Sequence, residues 1–421
     1  MIDEDRVSRG AGLAEQKNGG DRRRSTDSDN MAGGERLRIL QVIPFFARSM
    51  GGPVTATHCL SRELVKRGFE VEILTTDFEL DEEFVRLVRG EGIGVTLAKC
   101  DLALGQFLVS PSMKSWLKTR ARDFDMIHMH EFRSYQNNIV HAFARRHQIP
   151  YVLQAHGSLL PFFEKQRLKL LYDFVWGRRI LDEAAAVIAL NHMEEEECRS
   201  MGVKEDKIKI IPNGISISEF ELLPERGTLR TKLGICPDWP VVLYLGRIHR
   251  IKGLDLLLAA FASLVKELKN VRLILAGPDG GFLTDLESQA RVLRIEDRVI
   301  VTGPLHNRDK LEAFVDADVF VLPSSYEIFG YVLLESLACG TPVVITDRCG
   351  IADVIGNVGG LVVPYDKDLL AGALLSVLSQ ADLRRRLGQQ GRSLVAGRYD
   401  WSIVANRMMD VYDTSIRSTI K

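Results

Sequence analysis

The chain has 421 residues, of which 46% are apolar and 26% charged, and a formal net charge of -1. Its length suits two or three domains around separate cores, and a charge so close to zero gives no global pull toward nucleic acid. No apolar run is long enough to span a bilayer, and six scattered cysteines without a C-x-x-C pair argue against a zinc cluster or a disulfide framework.

Those cysteines fit a reducing compartment, and with no apolar leader at the start the sequence reads as cytoplasmic. Residues 1–34 are rich in Gly, Ser, Asp and Arg and poor in apolar side chains, so they read as a disordered extension. Order begins at Leu37, where an apolar run to Phe45 predicts a buried strand. Gly51 and Gly52 follow, then a helical pattern through Leu60, Leu64 and Val65 that Gly68 stops. Val71–Leu74, Met126–Met129, Tyr151–Leu153 and Ala186–Ala189 are further strands with helical patterns between them. Asn191 with Glu194 three residues on predicts a capping box, and Glu194 to Glu197 read as a solvated helix face.

Pro212-Asn213-Gly214 is a turn or linker, and a second series starts after it. Its strands are Val241–Leu245, Leu273–Leu275, Val299–Val301, Val319–Leu322 and Val343–Ile345. Strands alternating with helices twice over predict an α/β chain with two doubly wound parallel sheets. Such sheets hold ligands at the carboxyl ends of their strands, so two facing sheets make a central cleft.

Two segments at those ends carry chemistry. Arg247 follows the strand Val241–Leu245 and Lys252 opens the next helix, which delivers compact positive charge suited to a diphosphate. Ser325 to Glu335 follows the strand Val319–Leu322 and holds Glu327, Phe329, Gly330 and Glu335. A helix starting at Gly330 would point free N–H groups at an anion. Eight helical residues span about 12 Å, near the reach from a sugar ring to a ribose across a diphosphate. The bare spacing of the two glutamates says little; the strand–loop–Gly–helix setting says more.

With Gly51-Gly52, Ala155-His156-Gly157, Ile211-Pro212-Asn213-Gly214-Ile215, Ala276-Gly277-Pro278-Asp279-Gly280 and Trp401, these residues carry a resemblance. From about Leu37 to Tyr412 the sequence resembles the retaining GT-B glycosyltransferases of family 4. The resemblance implies two Rossmann-like domains: an acceptor domain over 35–212, rejoined by a returning helix over 400–421, and a donor domain over 213–399. It implies a nucleotide-diphosphate sugar (UDP- or GDP-linked) as co-substrate, with no cofactor and no metal. It also implies transfer to a glycan or lipid-linked acceptor, in polysaccharide or glycolipid synthesis. Arg247, Lys252 and Gly330 would hold the diphosphate and Glu335 the ribose. Glu327, Phe329 and Gly330 would hold the donor sugar, His156 would reach it from the other domain, and Thr302 to Leu305 would lie near the base. His156 and Glu327 are thereby the catalytic candidates, and Gly51 and Gly52 the phosphate or acceptor loop.

Other features weigh less. His128, His130 and Glu131 suggest a metal site, but packing or a place at the strand end is the stronger reading. Asp123/Asp125 and Asp316/Asp318 each precede a strand, so they read as turn and strand-start residues rather than a metal–diphosphate site. Lys165 to Arg179 mixes basic with apolar side chains; it reads as a core helix with basic ends, and peripheral contact with an anionic membrane is the alternative. A nucleotide-sugar epimerase of the same fold, and a sugar-nucleotide-binding protein without turnover, stay open. A dehydrogenase does not, because Ala47 to Gly52 lacks G-x-G-x-x-G.

Overall fold

The computed structural model describes residues 36–160, 166–356 and 358–420, so the extension expected over 1–34 lies outside the described residues. Strands β1 (Arg38–Val42), β2 (Glu70–Thr76) and β3 (Gly94–Ala98) precede a short antiparallel hairpin of β4 (Leu102–Leu104) and β5 (Phe107–Val109). β6 (Met126–His130), β7 (Tyr151–Gln154), β8 (Ala186–Ala189) and β9 (Ile208–Ile210) follow. The first sheet is seven-stranded and parallel, in the order β3-β2-β1-β6-β7-β8-β9. β10 (Val241–Leu245), β11 (Arg272–Ala276), β12 (Val299–Gly303), β13 (Val319–Leu322), β14 (Val343–Thr346) and β15 (Gly360–Val363) form a second parallel sheet. Its order is β12-β11-β10-β13-β14-β15. The α/β reading with two doubly wound sheets is what the molecule has.

The central strands of the second sheet, β10 and β13, are apolar throughout because helices cover both of its faces. β10 is buried at every position. The helix Leu254–Glu267 buries Leu254, Leu257, Leu258, Phe261 and Leu264, the i, i+3, i+4 stripe of a helix laid on a sheet. In each sheet the strand order reverses once, between β1 and β6 and between β10 and β13. Chains leaving two such neighbours diverge, and the gap above them is where doubly wound folds take a ligand.

The chain crosses between the two sheets twice, side by side. The Ile215 N–H donates to Tyr399 O at 2.7 Å, and the Trp401 N–H donates back to Ile215 O at 3.1 Å. Gly214 lies so near the Trp401 ring that a Cβ there would sit 2.6 Å from it. The helix Trp401–Ile420 then returns to the first sheet, burying Trp401, Val404, Ala405, Met408, Tyr412 and Ile416 against Ile39, Val71 and Met126.

Lys165 itself lies outside the described residues. The rest of its segment is not a core helix: Leu168 is 64% exposed, Leu171 58%, Phe174 80% and Trp176 48%. The buried groups are Tyr172, Asp173 and Gly177, and Asp173 forms an ion pair with Arg133 at 2.6 Å. A polar anchor therefore fixes this segment, which leaves its apolar side chains facing outward. Among the described residues no helix is long and apolar enough to cross a membrane.

Candidate active site

Gly246-Arg247 follows β10, and a short turn at Arg250–Lys252 leads to Gly253, whose φ of 64° suits only glycine comfortably. A Cβ on Gly253 would lie 2.0 Å from the Pro323 carbonyl oxygen, so the loops after β10 and β13 touch backbone to backbone. That approach sets Lys252 beside Glu327, with Nζ–Oε2 at 2.6 Å and both side chains largely buried. Glu327 is held from behind as well: its N–H donates to Arg348 O, and its carbonyl accepts from the Gly350 N–H. Gly330, at φ 69°, caps the helix Tyr331–Ala338. Phe329 is buried against Tyr331 and Tyr399, so its side chain belongs to the core and only its backbone is left for a ligand. Glu335, on that helix, pairs with Lys310 at 2.6 Å. Arg247 is exposed and has no ion-pair partner among the described residues. Thr302 to Leu305 lies at the exit of β12, where Gly303 O accepts from the Gly277 N–H of the neighbouring loop.

The first sheet supplies the facing wall. Gly51 (φ 86°) and Gly52 start the helix Gly52–Lys66, and a Cβ on Gly52 would stand 3.2 Å from the Tyr331 ring. His156 and Gly157 leave β7 with φ of 53° and 84°, and a Cβ on Gly157 would come 2.9 Å from Ile328 Cγ1. A left-handed histidine is uncommon and is held only where its surroundings over-determine it. Here the Gly157 N–H donates to Glu194 Oε1 at 2.6 Å. Asn191 Nδ2 donates to Ile328 O, and Tyr326 OH donates to Glu197 Oε1 at 2.6 Å.

Two expectations are corrected by this wall. Glu194 and Glu197 do not form a solvated face; both are buried. Asn191 does cap the helix, accepting from the Glu194 N–H at 3.0 Å, but the capping box is not reciprocal. Glu194 Oε2 accepts from Leu190 N–H, one residue before the cap, while its other oxygen is drawn to Gly157. Burial pushes the Glu194 carboxyl up to about 7 and raises Glu197 as well.

His128 and His130 are fully buried at the end of β6 and stack on each other, 4.2 Å between ring centroids. His130 Nδ1 lies 2.9 Å from His156 Nε2, and His128 Nδ1 lies 2.7 Å from Tyr412 OH on the returning helix. Burial holds all three imidazoles well below their ordinary value, His128 and His156 at about 3, and the neighbouring rings add to the effect for His128 and His130. Neutral rings are acceptors on one nitrogen and donors on the other. Both Asp pairs are committed to structure. Asp125 accepts from the Arg38 N–H and Asp123 meets Arg120. Asp316 accepts from the Gly227 and Arg230 N–H groups, and Asp318 binds Arg226, Arg230 and the Val241 N–H. Among the described residues no group of three metal-ligating side chains converges.

The structure thus brings Lys252, Glu327, Gly330 and Glu335 together on one wall and Gly52 and His156 onto the wall that touches it. Sequence reasoning missed Lys310, Tyr326, Glu194 and Glu197. Lys310 carried no signal, since its partner lies 25 residues on and one helix over. The capping pattern was a signal for Glu194, read one contact short.

Comparison with known proteins agrees with this geometry. Residues 50–219 match the model of Glycosyltransferase Family 4, and residues 225–394 that of Glycosyl transferases group 1. A D-inositol 3-phosphate glycosyltransferase of Catenulispora acidiphila is 32% identical over 85% of this chain and 88% of its own. A phosphatidyl-myo-inositol mannosyltransferase of Mycobacterium leprae is 29% identical over 91% and 99%. Among solved structures, Anabaena HepE in complex with UDP and glucose superposes with a TM-score of 0.73 at 20% identity, over 89% of this chain and 99% of that one. Sucrose-phosphate synthase from Thermosynechococcus elongatus gives 0.75 at 22%, over 91% and 100%. Those two establish the fold; the family models and the 32% relative establish the family, and the chain belongs to the GT-B glycosyltransferases of family 4.

Proposed function

We propose that the enzyme transfers a sugar from a nucleoside-diphosphate donor to a glycan or lipid-linked acceptor and keeps the anomeric configuration. The observation that carries this is the pair of lysine–carboxylate contacts, Lys252–Glu327 and Lys310–Glu335, set on either side of the start of one helix. In this reading Lys252 turns from Glu327 to the incoming diphosphate, joined by Arg247 and the N–H groups after Gly330, and offsets the charge of the leaving group. Freed of its lysine, Glu327 accepts hydrogen bonds from sugar hydroxyls and supports positive charge growing at the anomeric carbon. Glu335 takes the ribose hydroxyls. The departing phosphate oxygen receives the acceptor's proton on the face it leaves, so no protein base is needed. The UDP and glucose in the name of the HepE complex support the donor class. Lysine and arginine perform the charge compensation, so turnover without a metal belongs to the same reading.

The test is proton NMR of the first product formed from an α-linked donor, with chelator in excess. An α-linked product is expected. A β-linked product, or loss of turnover restored only by magnesium or manganese, overturns the reading.

The lipid-linked form of the acceptor rests on the outward-facing segment. Leu168, Leu171, Phe174 and Trp176 project beside a cavity of about 430 Å³ lined by Arg145, Arg146, Arg179 and His141. Apolar side chains beside arginines suit the interface of an anionic bilayer. The phosphatidyl-myo-inositol named for the Mycobacterium leprae relative points the same way. In this reading the enzyme sits peripherally on the cytoplasmic side of its membrane.

A further inference from the structure

The row of rings behind the site has a direction. Gln41 on β1 stands in register with His128 on β6, so its side chain reaches the same interior face. Gln41 Oε1 lies 2.7 Å from His130 Nε2, and Gln41 Nε2 faces Tyr412 OH at 3.5 Å. An amide oxygen accepts, so His130 Nε2 carries the hydrogen and its Nδ1 is bare. A bare Nδ1 at 2.9 Å from His156 Nε2 requires the hydrogen on Nε2 of His156. His156 Nδ1 is then a lone pair, and it is buried without a partner.

The other arm agrees. Gln41 Nε2 donates to the Tyr412 oxygen, the Tyr412 O–H donates to His128 Nδ1, and the hydrogen of His128 sits on Nε2. Gln154 beside it favours the protonated form of His128, although His128 Nε2 itself has no hydrogen-bond partner. Turning the Gln41 amide over would reverse every bond and move the unpartnered buried N–H from His128 Nε2, beside Gln154, to His156 Nδ1.

We propose that Gln41 and His130 are positioning residues that lock His156 in its Nε2–H form, so that Nδ1 waits as an acceptor for a hydroxyl of the transferred sugar. The sugar as ligand rests on the proposed function; the lock itself does not. His156 then orients the sugar by accepting one hydrogen bond, and it neither gives nor takes a proton during transfer.

Ring-nitrogen NMR of the full-length protein labelled with ¹⁵N-histidine tests the lock, with His156 assigned by His156→Asn. The expected wild-type spectrum has His156 protonated on Nε2 alone. His130→Phe keeps a stacked ring but removes the acceptor. It should free the His156 tautomer and lower kcat by about tenfold or more, the effect of one misplaced hydrogen bond, with nucleoside-diphosphate affinity unchanged. His130→Asn, whose amide oxygen can replace Nδ1, should restore the tautomer and most of kcat. Gln41→Met gives the same reading at the far end of the chain if His130→Phe does not fold. A wild-type His156 protonated on Nδ1, or on both nitrogens, overturns the lock; so does a His130→Phe protein with the wild-type tautomer and kcat. An Nε2–H His156 in a protein that transfers no sugar would sink the functional reading and leave the lock standing.

Discussion

Lys252 and Glu327 each satisfy the other, at 2.6 Å, and this makes their replacements unequal. Lys252→Ala removes a cation and also leaves a largely buried carboxylate unpaired, next to where a diphosphate binds. Its UDP or GDP affinity should fall by about tenfold to a hundredfold, the usual cost of a charge-assisted contact. Glu327→Gln releases the lysine and keeps a group that can bond to hydroxyls. Its diphosphate affinity should hold or rise while kcat falls, with measurable turnover left. Calorimetric titration with the free diphosphate checks both, and equal losses of affinity in the two variants would refute the exchange. The placement of Arg247, Lys252 and Glu327 at strand exits, and of Glu335 on the helix beyond, was legible in the sequence because the strands before them announce themselves by short apolar runs. Gln41, Tyr412, Lys310 and Glu194 were not, because a side chain's partner on another element leaves no mark at its own position. Gln41 and Tyr412 meet across 371 residues.

The elements divide along similar lines. β8, β10 and β13 match the expected spans to the residue, being buried from end to end. β3, β9 and β15 were not read as strands. They lie at or near sheet edges and are only partly buried, which dilutes the apolar pattern. β15 opens with Gly360, where a Cβ would stand 2.1 Å from the Val343 carbonyl, so close approach there displaced the β-branched residue that would have signalled a strand. β6 was read as a strand, but the use of its two histidines was left as a choice between packing and the strand end; they do both. Their burial has a pH consequence with a definite sign. His128 falls from 6.5 to about 3 on folding, so between those values the unfolded chain binds a proton that the folded chain refuses. Acid therefore favours unfolding through this ring, by up to about 1.4 kcal/mol per pH unit. His128→Phe loses the Tyr412 contact at every pH but is free of this term. Its stability deficit against wild type, measured by urea unfolding, should narrow or reverse from pH 7 to pH 5. A deficit that stays constant over that range would rule the term out.

At the scale of the whole molecule, the outward apolar segment is the surface that the proposed lipid-linked acceptor would bring to the membrane. Full-length protein should co-sediment with anionic vesicles and come off at high salt. Phe174→Ser with Trp176→Ser should weaken that binding and leave turnover of a soluble acceptor unchanged. Equal binding to neutral and anionic vesicles, or no loss in the double variant, would reject the segment as the contact. The paired crossing at Ile215 and Trp401 bears on how such an enzyme diversifies. Because the chain leaves the first sheet and returns to it at adjoining backbone hydrogen bonds, the second sheet with its helices is an insertion whose two ends already meet. A closed insertion of this kind can be exchanged as one cassette, with two splices that lie side by side and no new loop to close. If the second half holds the donor and the first the acceptor, as the proposed function has it, the two can be inherited separately, and donor choice can change without rebuilding the surface that meets the acceptor.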